Sequence, residues 1–145
     1  MSPSTTKQIP RIPGTLVLDS QGLSSLSQFG SGTEKYVQSS IANGRLVMMS
    51  SVTLAEVLRG TPHDTLIHRF RRGVETVAAD DQICKLAGKL LNALPDSRKK
   101  DCTVDAIVVA TTLLRATLPA VILTSDRKDI DALIGTSPGI TTAYI

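Results

Sequence analysis

The apolar positions of the chain fall into short continuous runs, and the stretches between those runs carry helical spacing. Thr15-Leu-Val-Leu18 is the first run and stops at Asp19. Leu46-Val-Met-Met49 is the second and stops at Ser50-Ser51. Val121-Ile-Leu123 is another, followed by Thr124-Ser125-Asp126. Runs of about four apolar residues without polar alternation fit strands of a parallel sheet covered on both faces. Val74 to Val77 and Ile140 to Tyr144 predict two further strands by weaker versions of the same pattern.

Helices are predicted between them. Asp80 to Leu94 places Ile83, Leu86, Ala87, Leu90 and Leu94 on one face and Lys85 and Lys89 on the other, and Pro95 ends it. Val104 to Thr117 is apolar nearly all round, which predicts a buried central helix. Glu34 to Ala42 and Thr53 to Gly60 are shorter, the latter closed by Gly60 with Pro62 just beyond. Strands alternating with helices predict an α/β fold, a three-layer α/β/α sandwich with a mainly parallel central sheet. At 145 residues the chain suits one domain, residues 15–145. Residues 1–14, MSPSTTKQIPRIPG, read as a loose polar tail and lack the apolar stretch of a signal peptide.

Composition narrows the chemistry. With two Phe, two Tyr and no Trp, recognition of bases on aromatic platforms is disfavoured. Cys84 and Cys102 show no CxxC or Cys/His spacing, which argues against a structural zinc site or a disulfide framework and fits a reducing cytoplasm. The longest strictly apolar run, Ala106 to Ala110, is far short of a membrane span. The net charge of +3 is a weak pointer to a polyanionic partner. Basic residues gather at Arg69–Arg71–Arg72, Arg98–Lys99–Lys100 and Arg127–Lys128, which read either as solvated helix ends or as contacts for a nucleic-acid backbone.

The acids fall at informative places. Asp19 and Asp126 follow the ends of apolar strands, Glu56 lies in the helix after the second strand, and Asp105 opens the apolar helix. In open α/β sheets, loops and helix starts converge outside the carboxyl ends of the strands, so acids from four distant segments can meet there. Such a group repels itself unless a proton or a cation intervenes. Oxygen ligands alone favour Mg²⁺ or Mn²⁺ over zinc, in a setting suited to phosphodiester hydrolysis. Each acid also has a plainer use. Asp19 can cap the helix starting near Gln21. Thr53-Leu-Ala-Glu56 fits a capping box, and Glu56 can instead pair with Arg59. Asp126 with Asp129 resembles a capping pair. Asp105 is the hardest to reduce to such a role, because a charge in an otherwise apolar helix needs a polar cleft or a partner.

The segments LVLDSQGLSSL, MMSSVTLAEVLRG, TVDAIVVATTLLRA and VILTSDRKDIDAL, in this order, resemble the four signature blocks of PIN domains, and most closely those of VapC-type toxin ribonucleases. The resemblance spans about residues 15 to 145. It implies an α/β/α sandwich, Mg²⁺- or Mn²⁺-dependent endonucleolytic cleavage of RNA, a cognate antitoxin and a homodimer. It carries the metal-binding, catalytic acids onto Asp19, Glu56, Asp105 and Asp126, with Asp129 as the rival for the fourth position. Ser20 keeps the hydroxyl common after the first acid, and Ser20 or Thr124 is expected to orient an acid or a phosphate. Arg69, Arg71, Arg72, Arg127 and Lys128 are expected to hold the RNA backbone. Gly22 departs from the usual pattern, as does Ile130 where Phe is frequent after the acid. A non-catalytic PIN-like module that binds RNA or protein is the competing reading. A phosphoacceptor receiver domain fits less well, since Asp126 stands where a Lys would be required.

Overall fold

The computed structural model describes residues 13–28 and 32–145, so the expected tail lies outside the described residues except for Pro13 and Gly14. The apolar runs become β1 (Thr15–Leu18), β2 (Leu46–Ser50), β3 (Glu75–Val77), β4 (Ala120–Thr124) and β5 (Ile140–Tyr144). All pairs are parallel, and the order across the sheet is β3-β2-β1-β4-β5. β1 is central: Val17 faces Met48 on one side and Ile122 on the other.

Among the described residues, eight helices connect the strands: α1 (Ser20–Ser25), α2 (Thr33–Ala42), α3 (Ser51–Val57), α4 (His63–Phe70), α5 (Asp81–Leu90), α6 (Asp96–Lys99), α7 (Thr103–Arg115) and α8 (Arg127–Ile134). They cover both faces, as the apolar strand runs require. Alternation within each strand divides the core: Leu16, Leu18, Val47 and Met49 pack with Leu23, Val37, Val57 and Ile67 of α1 to α4. Val17, Met48 and Ile122 pack on the opposite face with Ile83, Ala106, Val109, Ile130 and Leu133 of α5, α7 and α8. The three-layer sandwich predicted from the pattern is therefore the observed fold.

Differences from the predicted elements are local. The long helix expected over Asp80 to Leu94 tightens at Leu91–Ala93 into a 3-10 turn. The helix expected from Thr53 begins two residues earlier, directly at the end of β2, with Ser50 as its cap accepting from the Val52 amide at 3.3 Å. The Thr53–Glu56 capping box consequently does not form. Thr53 is instead fully buried in the first turn.

The order of the strands fixes where a site can lie. From β1 the chain moves outward through β2 to β3, then returns past β1 to β4 and β5. The connections leaving β1 and β4 therefore diverge, opening a crevice at the carboxyl ends of these two neighbours. Gly22 lets α1 settle into that crevice. A Cβ built there would stand 3.2 Å from the Leu123 carbonyl oxygen and 3.4 Å from Leu18. The unusual glycine thus permits close approach of a helix to a central strand. Replacing helical glycine ordinarily gains up to about 1 kcal/mol, but overpacking against fixed backbone costs about 1–3 kcal/mol and should win here. We expect Gly22→Val to lower the urea-unfolding free energy by about 2 kcal/mol; an unchanged midpoint would contradict the close-approach role.

Candidate active site

Asp19 leaves the end of β1 in an extended conformation and caps α1, its carboxylate accepting from the Gly22 amide at 2.8 Å. It is only 3% exposed. Burial raises its pKa above the ordinary 3.8, the Thr124 hydroxyl and the amides of Gly22 and Gln21 oppose the rise, and the charge of Glu56 adds to it. Thr124, at the end of β4 and fully buried, bonds the Asp19 carboxylate and accepts from the Asp126 amide at 2.9 Å. One hydroxyl thereby ties the first acid to the loop carrying another. The capping reading and the cluster reading of Asp19 describe one geometry.

Glu56 is exposed on α3, and its carboxylate accepts a hydrogen bond from the Ser20 hydroxyl. The Arg59 guanidinium reaches the Glu56 backbone carbonyl rather than its carboxylate. With no capping box, the Glu56 side chain is directed to the residue following Asp19. Asp126 occupies the cap position of α8 without making a side-chain capping bond, and it is exposed.

Asp105 lies in the first turn of α7 and joins these acids. Its pKa is pushed up to about 7, first by burial and then by the negative charges of Asp19, Asp126, Asp129 and Glu56, in that order. One carboxyl thus feels every acid singled out in the sequence. The structure brings them to one edge, where β1, β2 and β4 end and α7 begins.

Asp129 differs from the others because it is already paired. It is 8% exposed, and the Arg98 guanidinium of α6 forms an ion pair with it. Ligand atoms of Cys102, Asp105 and Asp129 lie within 4.8 Å of one another. Arg98 bonds to Cys102 as well as Asp129, so this corner already holds a cation. Burial raises the Cys102 thiol pKa, against the thiolate a metal would need. Arg98 and Cys102 had no predicted part in the site; Arg98 stood out only within a basic run. Its partner Asp129 is 31 residues away, and no local spacing announces the pair.

The basic residues separate by position. Arg69, Arg71 and Arg72 lie on α4 and the turn that leads into β3, hence at the amino edge of the parallel sheet, opposite the acids. Arg71 bonds His68 and Thr76 there, at 3.1 and 3.2 Å. These three arginines are therefore set apart from the acid cluster. Arg127 and Lys128 begin α8 at the acid-bearing edge, although Arg127 turns toward β5 and bonds Thr142 at 3.1 Å.

The donor set suits a hard divalent cation: carboxylate oxygens, two of them with pKa raised by burial and mutual repulsion, with hydroxyls fixing their orientation. No helix among the described residues is long and apolar enough to cross a membrane.

No known family model matches the sequence, and no curated protein matches it. Solved structures do match in shape. A toxin–antitoxin complex from Klebsiella pneumoniae contains a chain 20% identical, with a TM-score of 0.60 over 90% of this chain and 99% of that one. DNA-bound VapBC from Salmonella typhimurium matches at 15% identity and a TM-score of 0.62, over 90% and 97%. VapBC2 from Rickettsia felis, bound to a promoter DNA fragment, matches at 13% and 0.61, over 90% and 98%. At these identities the likeness is one of fold, and it is the PIN-like α/β/α fold.

The raised Asp105 pKa has a measurable consequence. Between its ordinary 3.8 and about 7 the folded chain binds this proton more tightly than the unfolded chain, so stability from this group falls as pH rises through that window. We expect Asp105→Asn to stabilise the chelator-treated protein at pH 8 by about 1–2 kcal/mol, allowing for solvent screening, with little gain at pH 4. Urea unfolding at the two pH values checks this; equal effects would remove the electrostatic explanation.

Proposed function

We propose that this chain is a VapC-type PIN-domain ribonuclease, the toxin of a toxin–antitoxin pair, which hydrolyses RNA with Mg²⁺ or Mn²⁺. The observation that carries this reading is the gathering of Asp19, Glu56, Asp126 and Asp129 around Asp105, whose pKa is pushed up to about 7 first by burial and then by those charges. A protein has little reason to gather such acids at a crevice unless a cation completes the group. The four signature blocks and the shared fold with toxin–antitoxin structures support the same assignment.

Asp19 and Asp105 would be the principal ligands, with Glu56 and Asp126 completing the set. Asp126 is preferred to Asp129 for the fourth position because Arg98 already engages the Asp129 carboxylate. A divalent ion held there supplies Lewis acidity, activating water and offsetting charge on the phosphate. The chain's own groups do the positioning. Thr124 and the Gly22 amide orient Asp19 and oppose the rise in its pKa that burial causes. Ser20 aims Glu56, and Arg98 keeps Asp129 from adding another free charge. Lys128 lies on the same edge as a contact for the RNA backbone. An antitoxin and a second copy of the chain are the protein partners this reading entails.

Purified protein should cut RNA with Mg²⁺ or Mn²⁺, and a chelator should abolish cutting. Asp19→Asn should lower the cleavage rate at least about 100-fold, as loss of a principal stabilising group does elsewhere. Gel assays at matched folded concentration decide this; equal cleavage by Asp19→Asn would sink the site, and metal binding without any cleavage would favour the non-catalytic module. Asp126→Asn should reduce cleavage comparably, whereas Asp129→Asn should act chiefly on stability. The reverse pattern would make Asp129 the fourth acid.

A further inference from the structure

Beside the acids lies a cavity of about 160 Å³ that the proposed cleavage does not use. It is lined by Gln21, Ser24, Ser25, Gln28, Thr33, Ser125 and Ile145. Four of these, Gln21, Ser24, Ser25 and Gln28, are spaced as one face of α1 and the turn that continues it, while Gly22, Leu23 and Leu26 on the other face are buried in the core. A solvated helix face would account for the polar stripe alone. It does not account for the opposite wall, where Ser125 and Ile145 close the stripe into a concavity. Ile145 is held there by its amide, which donates to the Thr124 carbonyl at 3.3 Å.

Two properties point to the occupant. Among the described residues the lining contains no charged side chain, although the acids stand next to it: Gln21 is two residues from Asp19, and Ser125 adjoins Asp126. An uncharged set of amides and hydroxyls supplies no charge to answer a phosphate or a metal ion. It offers donors and acceptors together, as the edge of a nucleobase requires. The volume is close to the roughly 150 Å³ of a protein cavity that accepts benzene, room for one six-membered ring. We propose that this cavity is a base subsite that takes a pyrimidine of the RNA next to the scissile phosphate, with Gln21 and Gln28 reading its edge. The inference rests on the ribonuclease reading for the identity of the ligand, and it adds a source of sequence preference to a site whose acids see only phosphate.

The test has two arms on the full chain. In the first, side-chain amide signals of Gln21 and Gln28 are followed by NMR during titration with cytidine or uridine and, separately, adenosine. The pyrimidine nucleosides should shift both amides and adenosine should shift them much less. In the second, oligoribonucleotides that differ only in pyrimidine or purine beside the cut are compared with Mn²⁺ present. Wild type should prefer the pyrimidine, and Gln21→Ala with Gln28→Ala should reduce that preference about tenfold, as expected for two lost hydrogen bonds. Cleavage without base preference and without amide shifts would overturn the subsite and leave the nuclease. Amide shifts selective for pyrimidines with no cleavage under any metal would keep the subsite and overturn the nuclease. Shifts of equal size with adenosine would overturn the pyrimidine assignment.

Discussion

Mutual repulsion among carboxylates at the carboxyl edge of the sheet is the constraint around which the rest of the molecule is arranged. Asp105 is held near neutrality by burial and by four acids from three other segments. Repulsion of this kind destabilises a fold unless something answers it, and the structure contains two kinds of answer. Arg98 pairs with Asp129 at one corner. Elsewhere the acids are oriented by hydroxyls and amides, from Thr124, Ser20 and Gly22, which hold charge in place without neutralising it. That remaining charge is what a divalent cation would answer.

The backbone makes this crowding possible. A parallel sheet with order β3-β2-β1-β4-β5 brings the ends of β1 and β4 side by side while their outgoing connections part. Asp19 and Thr124 are therefore neighbours although distant in the chain. The helix α7, buried against the sheet by Ala106, Val109 and Ala110, delivers Asp105 to the same edge with its first turn. Gly22 completes the arrangement by letting α1 approach β4 closely enough for Asp19 both to cap the helix and to meet Thr124.

Much of this was legible in the sequence because it depends on period and position. Continuous apolar runs identified parallel strands, and Asp19 directly after the first run and Asp126 three residues after Leu123 marked the productive edge. Asp105 stood out because its helix is otherwise apolar. What resisted reading depends on contacts between distant segments. The Glu56 capping box fits the spacing well, yet Ser50 takes the cap because the helix starts as soon as β2 ends. The Arg98–Asp129 pair joins α6 to α8 with nothing in the local pattern to mark it. The run at Arg69 to Arg72 is visible in sequence as charge clustering, but which end of a parallel sheet it occupies follows from topology.

In the proposed site the cluster holds a proton where a divalent cation would bind. Calorimetric titration with Mn²⁺ at about pH 6.5, repeated in buffers of different ionisation enthalpy, tests it most directly, because ligand deprotonation makes metal binding release protons. Saturable binding is expected, with release of a substantial fraction of a proton per ion that falls toward zero above pH 8 and is absent in Asp105→Asn. Binding that releases no proton at pH 6.5, or that survives unchanged in Asp105→Asn, would contradict it.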